Sequence, residues 1–258
     1  MSVIKLVNLV KEFDEKVVTN GVDLEIPKGS MVCIIGRSGE GKSVLLKQII
    51  GLIKPTSGQV IIDGTDITGM SDLELQDIFK KFGYVFQFAA LLDSLNIFEN
   101  VGITLLENHI SKEEALPIVK EKLAMVNLAE EVLYKYPAEL SGGMRKRVGL
   151  ARTLVTNPSI ILYDEPTTGL DPITARIVFE LMYNMQQQIH ATSVIISHDV
   201  EIFKYVDFVA MLHEGKIQYF GPADTIWESD NPYIYQFIRG LSKGPIQQEI
   251  THRSGRER

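Results

Sequence analysis

The feature that most constrains this chain is a glycine-rich octapeptide from Gly36 to Ser43, which reads Gly-Arg-Ser-Gly-Glu-Gly-Lys-Ser. It follows a short apolar run, Met31–Ile35, typical of a buried strand, and leads into a segment with helical periodicity, Lys42–Ile50. Glycines let backbone N–H groups turn inward around phosphate oxygens, and the helix offers the positive end of its dipole to the same anion. In such a loop Lys42 reaches the β- and γ-phosphates and the Ser43 hydroxyl binds Mg²⁺. The sequence therefore predicts a site that binds and hydrolyses ATP.

Composition narrows the class of protein. The chain has 258 residues with 45% hydrophobic and 23% charged residues, as expected for a packed protein that is soluble by itself. Its net charge of −7 gives no basic field for nucleic acid. The start of the chain does not resemble a signal peptide, and no window is apolar enough for a membrane span, so any membrane role is expected to come through a partner. The single cysteine, Cys33, lies in an apolar run and is interpreted as a core residue of a protein in a reducing compartment.

Strand and helix patterns alternate along much of the chain, which predicts an α/β fold with a mainly parallel sheet. Strand patterns lie at Ile4–Leu9, Val17–Ile26 (broken at Asn20-Gly21), Met31–Ile35, Gly58–Ile62, Gly83–Phe86, Ile160–Tyr163, Ser193–Ile196 and Phe208–Leu212. Helical patterns dominate Ser71–Val155, which is interpreted as an inserted subdomain, and return from Pro172 to about Ile189. Pro117 should kink its helix or mark a first turn. Leu241–Arg258 lacks periodicity and is predicted to be a flexible tail or a partner-binding arm.

An acidic pair follows a second apolar run, Ile160–Tyr163. A buried strand that ends in two carboxylates suits a site where Asp164 holds Mg²⁺ and Glu165 polarises a water. Many strands also end in acids at a solvent-exposed edge, so the assignment of this pair to an ATP site depends on the presence of the phosphate loop.

A third motif, Leu140-Ser141-Gly142-Gly143-Met144, opens another helix. Ser141 suits a helix N-cap, and two glycines in front of a helix suit an anion seat with bare N–H groups. The chain thus offers two helix N-termini for phosphate. They could serve two ligands, or the same ligand from two subunits.

Together these motifs resemble an ATP-binding-cassette (ABC) ATPase domain over roughly residues 3–240. The motifs that carry the resemblance, in order, are the phosphate loop, Gln87, Leu140–Gly143, Asp164-Glu165, Asp171 and His198. The resemblance implies a P-loop NTPase fold with a mainly parallel RecA-like core, an antiparallel β subdomain and an inserted α-helical subdomain at about 88–157. It divides the chain into a domain, 1–240, and a tail, 241–258. It also implies a homodimer whose chains pair head to tail, with each ATP between one phosphate loop and the opposite signature motif.

The resemblance also implies roles for single residues. It assigns phosphate and Mg²⁺ binding to Gly36, Arg37, Ser38, Gly39, Glu40, Gly41, Lys42, Ser43 and Asp164, and contacts to the partner's ATP to Ser141, Gly142 and Gly143. Gln87 is similar to the glutamine that senses Mg²⁺ and the attacking water, Glu165 to the catalytic base, and His198 to the γ-phosphate switch histidine. Asp171 matches the loop that links the two sites and also suits a helix cap. Phe13 is expected to stack on adenine with Val18 lining the base, although Phe13 also suits an ordinary strand position.

Three segments of the sequence resemble those of the ATPase subunits of MCE-type (mammalian-cell-entry) lipid transporters, including the bacterial Mla phospholipid system. They are the segment Phe88–Val101, Met144 where glutamine is usual, and Asp171–Thr174. This resemblance implies a homodimer on the cytoplasmic face of the inner membrane, under a permease that docks near Gln87–Val101. An MCE-domain protein and a small regulatory subunit would complete the assembly, with the tail as a candidate regulatory arm.

Three alternatives stay open at the level of sequence. The first is an importer ATPase for amino acids, metals or another small solute, which would more often have glutamine at position 144. The second is an exporter or lipoprotein-release ATPase. The third is a soluble cassette in iron–sulphur assembly, DNA repair or translation, but the chain has neither a split cassette nor tandem cassettes. The chain also has Thr168-Gly169-Leu170-Asp171 where the family often has Ser-Ala-Leu-Asp, a change that removes no phosphate-contacting glycine or carboxylate.

Overall fold

The computed structural model describes residues 2–14 and 16–247, which form two β-sheets and seven α-helices. The strands are β1 (Ser2–Phe13), β2 (Lys16–Pro27), β3 (Met31–Ile35), β4 (Ser57–Ile62), β5 (Thr65–Asp66), β6 (Phe82–Val85), β7 (Ile160–Asp164), β8 (Thr192–Ile196), β9 (Phe208–His213) and β10 (Lys216–Pro222). The helices are α1 (Lys42–Ile49), α2 (Asp72–Phe79), α3 (Ile97–Glu107), α4 (Lys112–Met125), α5 (Gly142–Leu154), α6 (Pro172–Ile189) and α7 (Pro232–Ile238).

The two sheets differ in direction. The smaller one has the order β2-β1-β4-β5 and is antiparallel. The larger one has the order β10-β9-β3-β8-β7-β6, and all its pairings are parallel except the one between β9 and β10. This arrangement confirms the predicted α/β class with a mainly parallel core and an antiparallel β part.

The central strands β3 and β8 are apolar for the reason the sequence indicated: helices and the second sheet cover both of their faces. All five residues of β3 and all five of β8 are buried, and alternate residues of β3 enter opposite cores. Cys33 is completely buried in one of these cores, as predicted. Because β9, β3, β8, β7 and β6 are mutually parallel, their carboxyl ends lie along one edge of the sheet.

The middle of the chain is helical, and α3, α4 and α5 pack together in one core. Helices α2, α3 and α4 begin with capping boxes, formed by Ser71, Asn96 and Ser111 with the glutamates three residues later. Pro117 lies inside α4, which continues to Met125. The expectation that Pro117 marks a first turn was therefore wrong, because the Ser111 cap starts the helix one turn earlier.

Some boundaries differ from the sequence-based expectations. Strand β2 runs unbroken through Asn20-Gly21, where Gly21 takes a φ of +73° and the pairing with β1 shifts register. Strands β5 and β10 and helix α7 were not anticipated. None of the helices in the described part of the chain is long and apolar enough to cross a membrane.

The tail was predicted to start at Leu241, but its first residues fold back on the domain. Ile246 is buried, and its N–H donates to the Gln236 side chain. The Arg37 guanidinium of the phosphate loop donates to the Gln247 carbonyl at 2.5 Å. The rest of the predicted tail, residues 248–258, lies outside the described residues.

Candidate functional site

The predicted site residues meet at the carboxyl edge of the parallel sheet. The phosphate loop follows β3, Asp164 ends β7 with Glu165 directly after it, and His198 follows β8. Gln87 follows β6 at the end of the row. Segments that lie up to 160 residues apart in sequence are therefore neighbours because the strands they follow are hydrogen-bonded to one another.

At two positions of the phosphate loop only glycine fits, because atoms of neighbouring strands lie very close to the backbone. A Cβ on Gly36 would lie 2.3 Å from the Leu212 carbonyl oxygen, and one on Gly41 would lie 2.4 Å from Cγ1 of Val18. Gly41 also has a φ of +90° and caps α1 without any side-chain hydrogen bond. The first N–H groups of α1 are thus not covered by a cap, as an anion seat requires.

Lys42 lies at the mouth of the loop and is only 6% exposed. Its Nζ donates to the carbonyl oxygens of Gly36 and Arg37, each at 2.8 Å. Burial lowers the pKa of Lys42, and the nearby carboxylates of Glu165, Glu40 and Asp164 oppose that shift. The ammonium group is therefore partly desolvated and close to three carboxylates, and two of its three N–H donors are used by the loop's own backbone.

Ser43 and Asp164 are brought together as predicted. The Ser43 hydroxyl donates to Oδ1 of Asp164 at 2.8 Å, and the Tyr84 hydroxyl donates to Oδ2 at 3.1 Å. Burial first, and Asp164 second, raise the pKa of Tyr84, so its proton stays in place. A hydroxyl and a carboxylate oxygen are donors that suit Mg²⁺, which is usually held by one or two protein oxygens plus substrate phosphates. Tyr84 was not anticipated, since nothing in a strand tyrosine indicates what it faces.

Three side chains lie close to the carboxylate of Glu165: those of the predicted site residues Gln87 and His198, and that of Thr168. Its Oε2 accepts hydrogen bonds from Nε2 of Gln87 at 3.1 Å and from Oγ1 of Thr168 at 2.9 Å. Nδ1 of His198 lies 3.9 Å from Oε1. Glu165 itself has a left-handed φ of +49°, a conformation that side chains rarely adopt and that often marks functional positions.

A second carboxylate, that of Glu40 in the phosphate loop, is bound by residues at the end of β9 and just after it. Nδ1 of His213, at the end of β9, lies 2.9 Å from its Oε1, and the N–H of Glu214 donates to Oε2 at 2.7 Å. Both side chains are largely buried. His213 was missed because nothing in the sequence links it to a residue more than 170 positions earlier.

The expected adenine-binding residues lie on the antiparallel sheet. Phe13 is 42% exposed, and the Lys11 ammonium lies 4.7 Å from the centre of its ring. Val18 is half-buried and touches the loop at Gly41. The structure thus places Val18 beside the phosphate loop, and Phe13 near the end of the adjacent strand.

The signature motif starts α5, as predicted. Ser141 is the N-cap and accepts from the N–H of Met144 at 3.2 Å. A Cβ on Gly143 would lie 2.6 Å from Cγ2 of Thr174, whereas one on Gly142 would have only a distant neighbour. Among the described residues, no hydrogen bond joins this motif to the phosphate loop of the same chain.

Asp171 caps α6 and accepts hydrogen bonds from the N–H groups of Ile173 and Thr174, both at 3.0 Å. The predicted capping by Asp171 is therefore present. Pro172 occupies the first helical position, where its missing N–H costs nothing.

Comparisons with known proteins agree with this geometry. The family model described as ABC transporter matches residues 19–168. The chain is also similar to a solved structure, the ATP-binding cassette MJ0796 as a dimer in a post-hydrolysis state with ADP and Pi. The TM-score is 0.78 at 34% sequence identity, and the match covers 85% of this chain and 98% of that chain.

The curated relatives carry different transport names. The probable ribonucleotide transport ATP-binding protein mkl of Mycobacterium tuberculosis is 44% identical over 94% of this chain and 68% of its own length. The methionine import ATP-binding protein MetN of Desulfitobacterium hafniense is 39% identical over 96% of this chain and 74% of its own length. The intermembrane phospholipid transport ATP-binding protein MlaF of Haemophilus influenzae is 34% identical over 95% of this chain and 94% of its own length.

Proposed function

Because the chain belongs to the ABC transporter family, and is thus an ATP-binding and ATP-hydrolysing subunit of a transporter, we propose that it energises phospholipid transport through an MCE-type complex. The observation that supports phospholipid as the cargo is the similarity to MlaF, which extends over 95% of this chain and 94% of that protein. The sequence of the segment Phe88–Val101 and the methionine at position 144 support the same cargo, because both resemble MCE-linked ATPases.

We place the catalytic work on Glu165. ATP brings the phosphoryl group, and Ser43 and Asp164 would hold a Mg²⁺ ion, whose charge would offset the negative charge of the phosphate oxygens. The Glu165 carboxylate accepts the proton of the attacking water while that water's oxygen bonds to the γ-phosphorus and the bond to the bridging oxygen breaks. Gln87 aims the carboxylate, and Lys42 donates to the β- and γ-phosphates. Nδ1 of His198 lies 3.9 Å from the Glu165 carboxylate, and His198 would contact the γ-phosphate.

We propose that each ATP is held by two chains. ABC cassettes work as dimers with membrane permeases, and among the described residues no hydrogen bond joins the signature motif to the phosphate loop of the same chain. In a head-to-tail pair, the N–H groups at the start of α5 would complete the partner's site. Asp171, at the start of α6, would lie at the junction of the two chains.

The permease is proposed to dock beside Gln87. The Phe88 side chain is 81% exposed, and Phe86 and Leu92 are also exposed. The ring of Phe86 lies 4.6 Å from that of Tyr84, and Tyr84 is one of the residues that line a groove of about 860 Å³ between α2, β6, α3 and α5. Such a surface suits an amphipathic helix from a membrane partner and would keep the chain peripheral on the cytoplasmic face of the inner membrane.

The experiment is purification of the complex from native membranes in detergent, followed by identification of the permease and by ATPase assays in phospholipid vesicles. We expect to recover an MCE-linked permease, and we expect the phospholipid of the vesicles to stimulate ATP hydrolysis by the complex. Phe88→Asp should lose the permease, whereas the matched control Leu73→Asp, which changes an exposed leucine of α2, should keep it. Recovery of an amino-acid permease would overturn the lipid proposal.

A second candidate cargo is a small solute such as methionine. The observation that favours it is the 39% identity to MetN over 96% of this chain. Under this alternative, methionine and its binding protein would stimulate hydrolysis by the purified complex and phospholipid composition would not matter.

A further inference from the structure

Helix α5 binds the backbone of the segment that follows Gln87. The Lys146 ammonium donates to the Gln87 carbonyl. The Arg152 guanidinium donates to the carbonyl oxygens of Ala90 at 2.5 Å and Ala89 at 2.7 Å. Between these two cations lies Gly149, where a Cβ would be only 3.4 Å from the backbone of Ala89. Residues 146, 149 and 152 are spaced by three, so they share one face of the helix.

The segment held in this way has an unfavourable backbone. Ala89 has a φ of +56° and Ala90 a φ of +48°. A left-handed conformation is sterically unfavourable for alanine, and two such residues in succession require outside support. The support comes from α5, because the Arg152 guanidinium donates to both alanine carbonyls and Lys146 donates to the carbonyl of Gln87 just before them.

The two cations are themselves in costly positions. Lys146 is only 9% exposed, and burial lowers the pKa of both Lys146 and Arg152. Their hydrogen-bond acceptors in this segment are backbone carbonyls, not carboxylates. A buried cation is tolerated where its donors are satisfied, and here the groups that satisfy them are the carbonyls of residues 87, 89 and 90.

We propose that Lys146 and Arg152 are positioning residues that fix the backbone after Gln87 so that its amide bonds to Glu165. The distance from Nε2 of Gln87 to Oε2 of Glu165 is 3.1 Å, so a small rotation of this backbone would break the contact. The inference rests on the proposed role of Gln87 in aiming the catalytic carboxylate. Since α5 also begins with the signature motif, one rigid helix joins Gln87 of one ATP site to the glycines proposed to serve the other.

The test measures kcat and KM for ATP with the full chain and its Lys146→Gln and Arg152→Gln variants. We expect kcat to fall roughly 3- to 10-fold in each, as for one lost hydrogen bond, while KM stays within about twofold because Lys42 and Ser43 are untouched. The matched control is Arg147→Gln on the same helix. Arg147 donates to the Asn127 carbonyl, away from the segment, and its variant should keep wild-type kcat.

Two further measurements separate positioning from general damage to the fold. Adding Ala89→Gly and Ala90→Gly to Arg152→Gln should restore part of kcat, because glycine takes a left-handed φ without a steric penalty. In a Gln87→Ala background, Arg152→Gln should lower kcat no further, since the contact it supports is already gone.

Each result decides between the two proposals. Wild-type kcat in Gln87→Ala would remove the proposed role of Gln87. A low kcat in Gln87→Ala together with normal kcat in Lys146→Gln and Arg152→Gln would overturn only the positioning role. Losses that add to Gln87→Ala and resist rescue by glycine would also overturn it. The milder variant Arg152→Lys, which keeps the charge but lacks the guanidinium fork, gives the same comparison if Arg152→Gln folds poorly.

Discussion

At the scale of single residues, Glu165 combines an unfavourable backbone with a fixed side chain. Its N–H donates to the Ile196 carbonyl at 3.1 Å, and its carboxylate accepts from Gln87 and Thr168. These contacts hold a conformation that costs about 1–2 kcal/mol for a residue with a Cβ. A carboxylate oriented before the substrate arrives needs little reorganisation during the reaction, which is where enzymes gain much of their rate.

We expect Glu165→Gln to lower kcat by roughly 100- to 10,000-fold, because the amide cannot accept the proton of the attacking water. ATP binding should persist, so the variant should accumulate as an ATP-bound dimer. Steady-state ATPase assays and size-exclusion chromatography with ATP would measure both effects. The control is Glu180→Gln, which changes an exposed glutamate on α6. Normal turnover in Glu165→Gln would show that another group accepts the proton.

The pair Glu40–His213 gives a prediction about stability. His213→Ala should lower the free energy of unfolding by about 1–3 kcal/mol, because it leaves the carboxylate of Glu40 buried without its side-chain partner. Glu40→Ala together with His213→Ala should cost less than the sum of the two single changes. Urea denaturation would measure the four free energies. Glu113→Gln serves as the control, since that side chain is exposed and lies in the first turn of α4; strict additivity would mean that the pair contributes nothing.

At the scale of elements, local patterns located most strands and helices, and they failed where tertiary context decides. The strands β3, β7 and β8 were predicted because burial on both faces leaves continuous apolar runs. Strand β10 and helix α7 were missed, since a half-exposed edge strand and a short helix have weak periodicity. The motif residues of the site could be predicted because each motif is local in sequence. Its supporting residues, Tyr84 and His213 among them, depend on contacts between distant segments.

The two glycines at the start of α5 have different surroundings, so substitutions can distinguish their roles. Gly143→Ala should lower the free energy of unfolding by about 1–3 kcal/mol through overpacking against Thr174, whose hydroxyl is bound to Asp171 at 2.6 Å and holds the methyl group in place. Gly142→Ala has room for its methyl group and should leave stability unchanged or raise it by up to about 1 kcal/mol.

The same pair of variants reports on the anion seat. If the N–H groups at the start of α5 serve the partner's ATP, Gly142→Ala should lose ATPase activity even though it folds at least as well as the wild type. Thermal unfolding and ATPase assays on the same samples would compare the two properties. Full activity in Gly142→Ala would mean that close approach of a phosphate at this position is not needed.

At the scale of the whole molecule, the proposed head-to-tail pairing would give each chain one half of each of two ATP sites. The phosphate loop follows β3, and the signature motif starts α5 on the helical part of the chain. Two chains arranged head to tail would complete both halves at once, and symmetry of this kind closes the assembly at two copies.

Activity should therefore depend on chain concentration. We expect the ATPase rate per chain to fall on dilution below the dissociation constant of the dimer, because a monomer has no complete site. Activity and light scattering across a dilution series would be measured together, with Lys42→Ala as the blank for contaminating ATPase. A constant rate per chain in samples that scatter as monomers would contradict a site shared between chains.

The order of strands in the larger sheet has a consequence for synthesis on the ribosome. The phosphate loop emerges early, but one neighbour of β3 is β9, Phe208–His213, and the loop's Glu40 is held by His213. A nascent chain of 200 residues has the loop, the signature motif and both carboxylates of β7, yet it lacks the strand that supports the loop. Nucleotide could act as a ligand that favours folding only after most of the polypeptide has been translated, so ATP would stabilise the finished chain and not its precursors.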